Sequence, residues 1–334
     1  MFFKDKKILI IGGTGTLGQS LVKKILKENP KVIRIFSRDE YKQFLFQNEV
    51  GEQKKLRFLI GDVRNYDRVL NAMAGIDYVF HTAAMKHVPS CEYNPYEAVL
   101  TNIIGTNNVI NAAIRQNVKK VVFTSSDKAI SPTNNYGATK LTAERLITSA
   151  EYSKGASNTV FSSVRFGNVI GSRGSVIPLF KNQILTQKRV TITDLSMSRF
   201  MMTLTQATEL TIKALQESKG GETFVLKMPV IILNDLLEVI LDEMCKKHNL
   251  IQEEIIIQEI GLRPGEKMYE ELMTSDESTF AWEMPEMFLI PSAYGQKYQY
   301  PNAKKAKKGT YGSDNQKPIS KEEVRALLQS EGLI

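Results

Sequence analysis

The sequence predicts an α/β protein built on a doubly wound parallel sheet, with a smaller domain at its C-terminal side. Three observations lead to this fold class. Short β-branched runs alternate with helical patterns through the first half of the chain, a glycine-rich turn follows the first run, and the alternation loosens after about residue 165. Such alternation is typical of a parallel sheet with helices on both faces, whose ligands bind beyond the carboxyl ends of the strands.

Six β-branched runs are expected to form the strands of the sheet: residues 7–11, 32–37, 56–60, 78–82, 120–124 and 160–165. Helices are expected at residues 17–27, 96–116, 136–152, 205–217 and 233–248, and a further strand at 222–226. Residues 291–317 are polar and indicate a long loop, whereas a capping box from Ser320 to Glu323 predicts a final helix. We therefore expect a nucleotide-binding domain over 1–165, a mainly substrate-binding part over 166–290, and a polar loop with a C-terminal helix over 291–334.

The composition is that of an ordinary soluble globular protein. Of the 334 residues, 42% are hydrophobic and 24% are charged, and no apolar run reaches the roughly 18 residues of a membrane span. No signal-peptide pattern precedes the first strand, so we expect a cytoplasmic protein without a membrane partner. The two cysteines, Cys91 and Cys245, and the three histidines lack metal-ligand spacing, so no metal site is predicted.

The formal net charge of +8 would suit an acidic partner. Much of the visible clustering lies in residues 304–308, where lysines stand in a polar stretch near the C-terminus. No helix-turn-helix signature or aromatic-basic RNA-binding motif accompanies this cluster, so nucleic acid is not expected as a partner. A small molecule that carries a diphosphate is the acidic partner that the sequence favours.

A dinucleotide-binding turn is predicted at residues 12–18. The first strand leads into Gly12, Gly15 and Gly18, and a helix follows. Glycines in this context permit a tight turn and let backbone N–H groups and the helix N-terminus approach a pyrophosphate. The G-x-x-G-x-x-G spacing resembles that of the short-chain dehydrogenase/reductase superfamily, which has a Rossmann-like sheet. A glycine triplet alone could also be an ordinary turn.

The end of the second predicted strand favours NADP over NAD. NAD-specific enzymes place an acid there for the ribose 2′-hydroxyl. This chain instead has Arg38, which can bind a 2′-phosphate, and Ser37, which removes the repulsive carboxylate. Asp39 could still reach the ribose, or it could start the next helix. Asp62 and Val63, after the third strand, suit adenine recognition, with an ordinary turn aspartate as the alternative.

Tyr136 and Lys140 form the pair expected to support hydride transfer. A tyrosine with a pKa of about 10 is a poor base unless a cation stabilises tyrosinate. Lys140 lies one helical turn beyond Tyr136, so it can lower the tyrosine pKa and hold the nicotinamide ribose. Shortly upstream, Asp127 and Lys128 offer a proton donor and a proton acceptor. This combination indicates elimination of water coupled to redox chemistry, although the second pair could also be solvated charges in a loop.

Four motifs give the chain a specific resemblance to a known family: TAAMKHVP at 82–89, SSDKA at 125–129, YGATK at 136–140 and LRPGEK at 262–267. Together they resemble the UDP-N-acetylglucosamine 4,6-dehydratases, extended short-chain dehydrogenases that begin 6-deoxy amino-sugar pathways such as pseudaminic acid and capsule synthesis. The resemblance covers roughly residues 5–290 and is greatest for forms without a membrane-anchored N-terminal half. One departure is the Met201–Met202 pair after Phe200, where relatives commonly have a tryptophan.

The resemblance implies a reaction in which a tightly bound NADP is regenerated in each turnover. Tyr136 takes the 4-hydroxyl proton as hydride leaves C4, neutral Lys128 then abstracts the C5 proton, and protonated Asp127 donates to the departing 6-hydroxyl. For both to act, the site must exclude water and move the two pKa values toward neutrality. We expect hydride to return to C6 with inversion at C5. Return to C4 would release a 5,6-ene, and retention at C5 is a further alternative.

The strand-end positions and the resemblance together define the candidate site. Residues expected at the cofactor are Gly12, Thr14, Gly15, Thr16, Leu17, Gly18, Ser37, Arg38, Asp62, Val63, Ala83, Ala84, Lys86, Asn102, Ser125, Tyr136 and Lys140. Residues expected at the UDP-sugar are Lys86, His87, Ser126, Asn168, Arg199, Arg263 and Glu266. Arg199 and Arg263 would clamp phosphate and Glu266 would bind the uridine ribose, while His87 could equally be an ordinary loop histidine. Enzymes of this type generally assemble, so a homo-oligomer is expected.

Two other function classes could use the same fold. A UDP-sugar 4-epimerase would use Tyr136 and Lys140 and return hydride to C4 on the opposite face, without needing Asp127 or Lys128. A non-enzymatic NADP-binding regulator would need none of these four residues, so their presence in the chain argues against it.

Overall fold

The computed structural model describes residues 1–172, 175–262, 265–292 and 299–334, and it confirms the α/β fold class with a parallel sheet between helices. The strands of the described residues are β1 Lys7–Ile11, β2 Val32–Ser37, β3 Leu56–Ile60, β4 Tyr78–His81, β5 Lys120–Thr124, β6 Val160–Arg165, β7 Asn168–Val169, β8 Arg189–Ile192, β9 Ser198–Met202, β10 Thr223–Leu226, β11 Val230–Ile232, β12 Ile256–Glu259, β13 Glu271–Met273, β14 Trp282–Glu283, β15 Met287–Ile290, β16 Lys304–Lys305 and β17 Tyr311–Gly312. The helices are α1 Thr16–Leu26, α2 Glu40–Val50, α3 Tyr66–Met73, α4 Val88–Tyr93, α5 Pro95–Ala98, α6 Gly105–Arg115, α7 Asn135–Ser153, α8 Val176–Gln187, α9 Leu204–Glu217, α10 Leu233–His248, α11 Ser275–Ser278 and α12 Lys321–Ser330.

The main sheet has the strand order β16-β14-β15-β10-β6-β5-β4-β1-β2-β3 in the described part of the chain. Strands β1 to β6 and β10 run parallel, and β15, β14 and β16 add an antiparallel edge. The order 3-2-1-4-5-6 is that of the Rossmann-like doubly wound fold. The strand order reverses between β1 and β4, so the ligand crevice is expected beyond the carboxyl ends of these two strands.

Side-chain alternation along the strands supplies a hydrophobic core on each face of the sheet. Ile8 and Ile10 of β1 belong to a core that includes residues of α1 and α9, whereas Leu9 and Ile11 belong to a core with α3, α6 and α7. Because successive strand residues point to opposite faces, the continuous apolar run of β1 fits a strand that is buried on both sides. The sequence KILII therefore favours the centre of the sheet for β1.

A third hydrophobic cluster belongs to the C-terminal part of the chain. It joins residues of α8, α10 and α12 with residues of β8, β9 and β11, and its buried side chains all come from positions after 169. A separate core of this kind is what a smaller domain needs. The proposed boundaries at 165 and 290 stay predictions.

The elements predicted in the first half are confirmed closely. Five of the six predicted strands have the predicted bounds, and β4 ends at His81, one residue early. The long helix predicted at 96–116 is instead α5, a π-helical turn at Val99–Ile104 and α6. Within the described ranges, no helix is both long and apolar enough to cross a bilayer.

The prediction of a plain loop over 291–317 is wrong for its second half. Strand β16 extends the edge of the main sheet, and β17 pairs with β13. Tyr311 of β17 is buried, and its hydroxyl accepts a hydrogen bond from Met228 N at 2.9 Å. These strand pairings could not be predicted from the sequence, because isolated apolar side chains rather than a periodic pattern hold the segment in place. Residues 293–298 of this segment lie outside the described residues.

A buried ion-pair network fixes the helix that carries Tyr136. Arg165, at the end of β6, is fully buried between Glu144 of α7 and Glu277 of α11. Its guanidinium donates hydrogen bonds to both carboxylates at 2.5–3.1 Å and to Leu272 O at 2.9 Å. Burial acts to raise the pKa of Glu144, but Arg165 outweighs burial and holds that pKa below its ordinary value. The network therefore ties α7 to the sheet and to the C-terminal part of the chain.

Replacing Arg165 by methionine should lower the free energy of unfolding by about 3–5 kcal/mol, because two carboxylates would stay buried without their cation. Chemical denaturation followed by circular dichroism measures the loss. Lys188→Met is the matched control, since Lys188 pairs with Glu254 through side chains that are 60% and 48% exposed. That variant should lose no more than about 1 kcal/mol. Equal losses in the two variants would contradict the role assigned to the buried network.

Candidate active site

The glycine turn after β1 leaves space for a dinucleotide where side chains would not fit. Gly12 has a φ of +86°, and a Cβ on it would lie 2.6 Å from the backbone nitrogen of Ala83. A Cβ on Gly18 would lie 2.5 Å from Gly12 O, so the start of α1 packs directly on the turn. Gly15 is the N-cap of α1 and contributes no capping side chain. The first N–H groups of α1 can therefore bind a pyrophosphate.

The remaining predicted turn residues lie at the same edge of the sheet. Thr14 is buried, and Thr16 and Leu17 are half-buried at the start of α1. Ala83 and Ala84 follow β4, which is the direct neighbour of β1 at the switch point. The residue types and the backbone of this edge therefore fit the dinucleotide that the sequence predicts.

The residues after β2 and β3 form the other end of this crevice. Ser37 Oγ accepts a hydrogen bond from Gln43, and Arg38 is exposed, with its Nη1 4.0 Å from Asp62 Oδ2. Asp39 caps α2 by accepting a hydrogen bond from Lys42 N at 3.0 Å. The sequence left open whether Asp39 binds the ribose or starts the next helix, and in the structure it starts helix α2.

Asp62 and Val63 lie in the turn that follows β3. Asp62 Oδ1 accepts a hydrogen bond from Arg64 N at 3.0 Å, which is the ordinary turn role. Val63 is buried against Gly105, where a Cβ would lie 2.6 Å from the valine side chain. A role of these two residues in adenine recognition stays a prediction.

Asn102 holds the loop that follows β4. Its buried side chain accepts a hydrogen bond from Met85 N at 2.8 Å and donates to Met85 O at 2.9 Å and to Thr139 Oγ1 at 3.0 Å. These bonds tie the loop to helix α7. Lys86 and His87 of the same loop are exposed, and their binding roles stay predictions.

Tyr136 and Lys140 lie near the start of α7, beside the end of β5. Lys140 is 2% exposed, and its ammonium donates a hydrogen bond to Thr124 O at 2.5 Å. Burial lowers the pKa of Lys140 to about 7, against the opposing charge of Glu144. Burial raises the pKa of Tyr136 to about 12, and the cation that opposes this rise is Lys128. The expectation that Lys140 lowers the tyrosine pKa is therefore not what the structure shows.

Ser126 interacts with the acid and acts on the tyrosine. It follows the buried Ser125 at the end of β5, and its hydroxyl donates a hydrogen bond to Asp127 Oδ1 at 2.5 Å. Ser126 also opposes the rise of the Tyr136 pKa. A hydroxyl can both donate and accept a hydrogen bond, so Ser126 can serve both groups.

The buried Asp127 and the half-buried Lys128 form an ion pair, which we call the acid–base pair. Lys128 Nζ lies 2.9 Å from Asp127 Oδ2. Burial acts to raise the pKa of Asp127, but the charge and hydrogen bond of Lys128 outweigh it and hold that pKa below its ordinary value. Burial likewise disfavours the ammonium of Lys128, but Asp127 and Glu270 outweigh it and raise its pKa. The two pKa values thus move apart in this ion pair, so the condition that both lie near neutrality is not met without a bound ligand.

The protonation state that an elimination needs differs from this ion pair by one proton transfer. Moving a proton over the 2.9 Å from Lys128 to Asp127 gives a neutral amine and a protonated acid together. The site as a whole neither gains nor loses a proton in that step. A ligand that excludes water favours the neutral form, because two buried charges cost most where solvation is lost.

Glu270 is a residue of this site that the sequence analysis missed. It precedes β13 and is buried, and its Oε1 lies 3.5 Å from both Lys128 Nζ and Arg199 Nε. Burial raises the pKa of Glu270 to about 7, with Asp127 reinforcing the rise and the two cations opposing it. The one signal in the sequence was its position four residues after Glu266 of the LRPGEK motif. A single buried glutamate in a charged stretch gives no periodic pattern.

A cleft beside the acid–base pair brings predicted substrate residues together. Asn168, Arg199 and Glu266 line it with Asp127 and Lys128. Two of these side chains already have internal partners. Asn168 Nδ2 donates to both carboxylate oxygens of Glu270, at 3.0 and 2.9 Å, and Arg199 Nη2 donates to Lys267 O at 2.9 Å. Their roles at phosphate stay predictions, and Arg263, the second predicted clamp, lies outside the described residues.

Comparison with known sequences gives consistent matches over nearly the whole chain. The protein-family model described as "Polysaccharide biosynthesis protein" matches residues 8–292. A protein of Methanocaldococcus jannaschii named as an uncharacterized membrane protein is 46% identical over 328 residues, which cover 98% of this chain and 96% of the relative. A protein of Rickettsia rickettsii named UDP-glucose 4-epimerase is 41% identical over 335 residues, with the same two coverages.

Solved structures show the same fold. The X-ray structure of Pen from Bacillus thuringiensis is 67% identical and has a TM-score of 0.95 over 100% of both chains. DesIV from Streptomyces venezuelae, a dTDP-glucose 4,6-dehydratase whose structure holds NAD, has a TM-score of 0.70 at 19% identity. That match covers 78% of this chain and 86% of DesIV, and it supports the fold alone.

Proposed function

The chain belongs to the polysaccharide biosynthesis protein family, and within this family we propose that it is a nicotinamide-dependent UDP-N-acetylglucosamine 4,6-dehydratase. One observation supports the proposal above all others: the acid–base pair lies close enough to Tyr136 for Lys128 to act on the charge of the tyrosine. Hydride transfer alone has no use for that pair, whereas loss of water needs both an acid and a base. The proposal includes a cytoplasmic homo-oligomer that acts in 6-deoxy amino-sugar synthesis.

The first half of the reaction is an oxidation at C4 of the sugar. A nicotinamide cofactor whose pyrophosphate is bound at the glycine turn would accept hydride from C4 and return it later in the same turnover. Tyr136 receives the proton of the 4-hydroxyl. Tyr136 must be ionised to take that proton, and burial, which raises the pKa of Tyr136 to about 12, makes tyrosinate costly. Its own proton must therefore leave to solvent, because Asp127 accepts the proton of Lys128 in the next step.

The second half is an elimination across C5 and C6. The ketone at C4 makes the C5 proton acidic, so Lys128 in its neutral form can abstract it. Asp127 in its protonated form donates to the 6-oxygen, and water leaves as the double bond forms. We propose return of hydride to C6 with inversion at C5, which requires that a proton from solvent reach C5 on the face opposite Lys128. Return of the proton from Lys128 to its own face would give retention at C5, and release of a 5,6-ene is the other alternative.

A UDP-sugar 4-epimerase is the second candidate, because the Rickettsia rickettsii relative carries that name. An epimerase would use Tyr136 and Lys140 in the same way. It would leave the acid–base pair without a chemical purpose. The dehydratase therefore accounts for more of the site.

Product analysis tests the proposal directly. Purified protein incubated with UDP-N-acetylglucosamine should give a product that is lighter by one water, as measured by mass spectrometry. An unchanged mass with inverted configuration at C4, seen by NMR, would identify an epimerase. No change in the substrate would favour a non-enzymatic regulator.

A substrate deuterated at C4 then locates the returning hydride. We expect the label in a C6 methyl group, because Lys128 is the base that we assign at C5. Label that stays at C4 beside vinyl protons at C6 would show release of a 5,6-ene instead.

Two variants should separate the oxidation from the elimination. Tyr136→Phe should abolish the transient absorbance of reduced cofactor, because the 4-hydroxyl loses its proton acceptor. Lys128→Met should keep C4 oxidation and block exchange of the C5 proton with deuterated solvent, which NMR detects. Exchange at the original rate in Lys128→Met would show that another group is the base.

NADP is the dinucleotide that we propose, because Asp39 is engaged in capping α2 and Arg38 is exposed at the end of β2. Arg38→Ala should weaken NADP binding by about 1.5–3 kcal/mol, the range for a hydrogen bond to a charged group. Binding of NAD, which lacks the 2′-phosphate, is the internal control and should change little. Calorimetric titration measures both. Equal affinity of the unmodified protein for the two dinucleotides would refute the assignment.

A further inference from the structure

Glu270 lies against the acid–base pair but has no part in the reaction proposed above. Its carboxylate accepts hydrogen bonds from Asn168 Nδ2 at 2.9 and 3.0 Å and from Phe200 N at 3.1 Å. Its backbone is held from the C-terminal side, because Ser313 N donates to Glu270 O at 2.8 Å and Glu270 N donates to Ser313 Oγ at 2.9 Å. The carboxylate is thus fixed beside the pair by β7, β9 and the segment that follows β17.

Charged groups face the Glu270 carboxylate from two sides. Lys128 Nζ and Arg199 Nε each lie 3.5 Å from its Oε1, and the negative charge of Asp127 acts on it and raises its pKa. Tyr136 belongs to the same cluster through its charge interaction with Lys128. When Glu270 is ionised, two carboxylates act on the Lys128 ammonium. When Glu270 is protonated, Asp127 is the one negatively charged carboxylate of the two that still acts on the Lys128 ammonium.

We propose that Glu270 is a positioning residue that controls the acid–base pair: elimination proceeds while Glu270 carries a proton and stops when Glu270 is ionised. This inference rests on the proposed dehydratase function. An ionised Glu270 at 3.5 Å stabilises the ammonium of Lys128 and so opposes the proton transfer to Asp127 that makes the amine neutral. Protonation of Glu270 removes that attraction. The exclusion of water by a bound ligand can then favour the proton transfer from Lys128 to Asp127.

The direction of the resulting pH dependence follows from the charge of the carboxyl. Burial and the nearby Asp127 raise the pKa of Glu270 to about 7, so Glu270 is neutral below that pH and ionised above it. The elimination rate should therefore be highest below pH 7 and fall about tenfold per pH unit above it. Because the carboxyls and the lysine interact, the observed midpoint belongs to the cluster.

Single-turnover kinetics with UDP-N-acetylglucosamine and the cofactor-loaded full chain test the inference. Cofactor absorbance reports oxidation at C4, and mass spectrometry of quenched samples reports loss of water. Glu270→Gln is neutral at every pH, so it should keep the elimination and lose its fall above pH 7. At pH 9 the variant should then eliminate water on the order of 100-fold faster than the unmodified protein. Glu270→Asp keeps a titrating carboxyl and should keep the fall.

A purely structural role of Glu270 predicts a different result. Glu270→Gln would then be slower at every pH with an unchanged slope, and this outcome would overturn the inference. If Glu270→Gln does not fold, infrared titration of the unmodified protein decides. A carboxylic acid band that disappears near pH 7 supports the inference, and no such band overturns it. If the unmodified protein removes no water from the substrate, the proposed function fails and the inference fails with it. If the elimination rate of Glu270→Gln still falls above pH 7, the inference alone is refuted.

Discussion

The proton shared between Asp127 and Lys128 is the constraint on which the rest of the site depends. At 2.9 Å the two groups can exchange it without any movement of the backbone. In the resting arrangement the proton stays on the lysine, because the two carboxylates at this amine outweigh the cost of burying its charge. Chemistry needs the opposite arrangement, so whatever binds in the cleft must exclude water and make separated charges unfavourable. The pair is therefore held in a state one step away from the reactive one.

Two parts of the chain must meet to build this arrangement. The sheet contributes the acid–base pair and Tyr136 at the carboxyl end of β5 and the start of α7. The C-terminal part contributes Glu270, whose backbone is fixed by Ser313 beyond β17. The buried Arg165 network links the same two parts through α7 and α11. These contacts join parts of the chain that are far apart in sequence, as the 112 residues between Arg165 and Glu277 illustrate.

Local patterns predicted what is local in this structure. The β-branched runs predicted the bounds of β1, β2, β3, β5 and β6. The glycine turn, Ser126 and the acid–base pair were also predictable, because each belongs to a short motif that directly follows a strand. The sequence analysis did not predict Glu270 as a site residue, because the residues that bury it are distant in sequence. The direction of the Asp127 and Lys128 pKa shifts escaped for the same reason, since sequence adjacency shows that two charges are close but not which of burial and attraction is stronger. Strand β17 was missed because its pairing with β13 depends on a partner about 40 residues away rather than on periodicity.

The central claim is that C5 and C6 of a nucleotide sugar lie against the acid–base pair while O4 lies against Tyr136. A crystal structure of the protein with UDP-N-acetylglucosamine and oxidised cofactor measures this placement directly. The account predicts C5 within about 3.5 Å of Lys128 Nζ, a reacting distance, with the 6-oxygen in hydrogen-bond contact with Asp127. A sugar whose O4 contacts Tyr136 while C5 and C6 point away from Asp127 and Lys128 would contradict it.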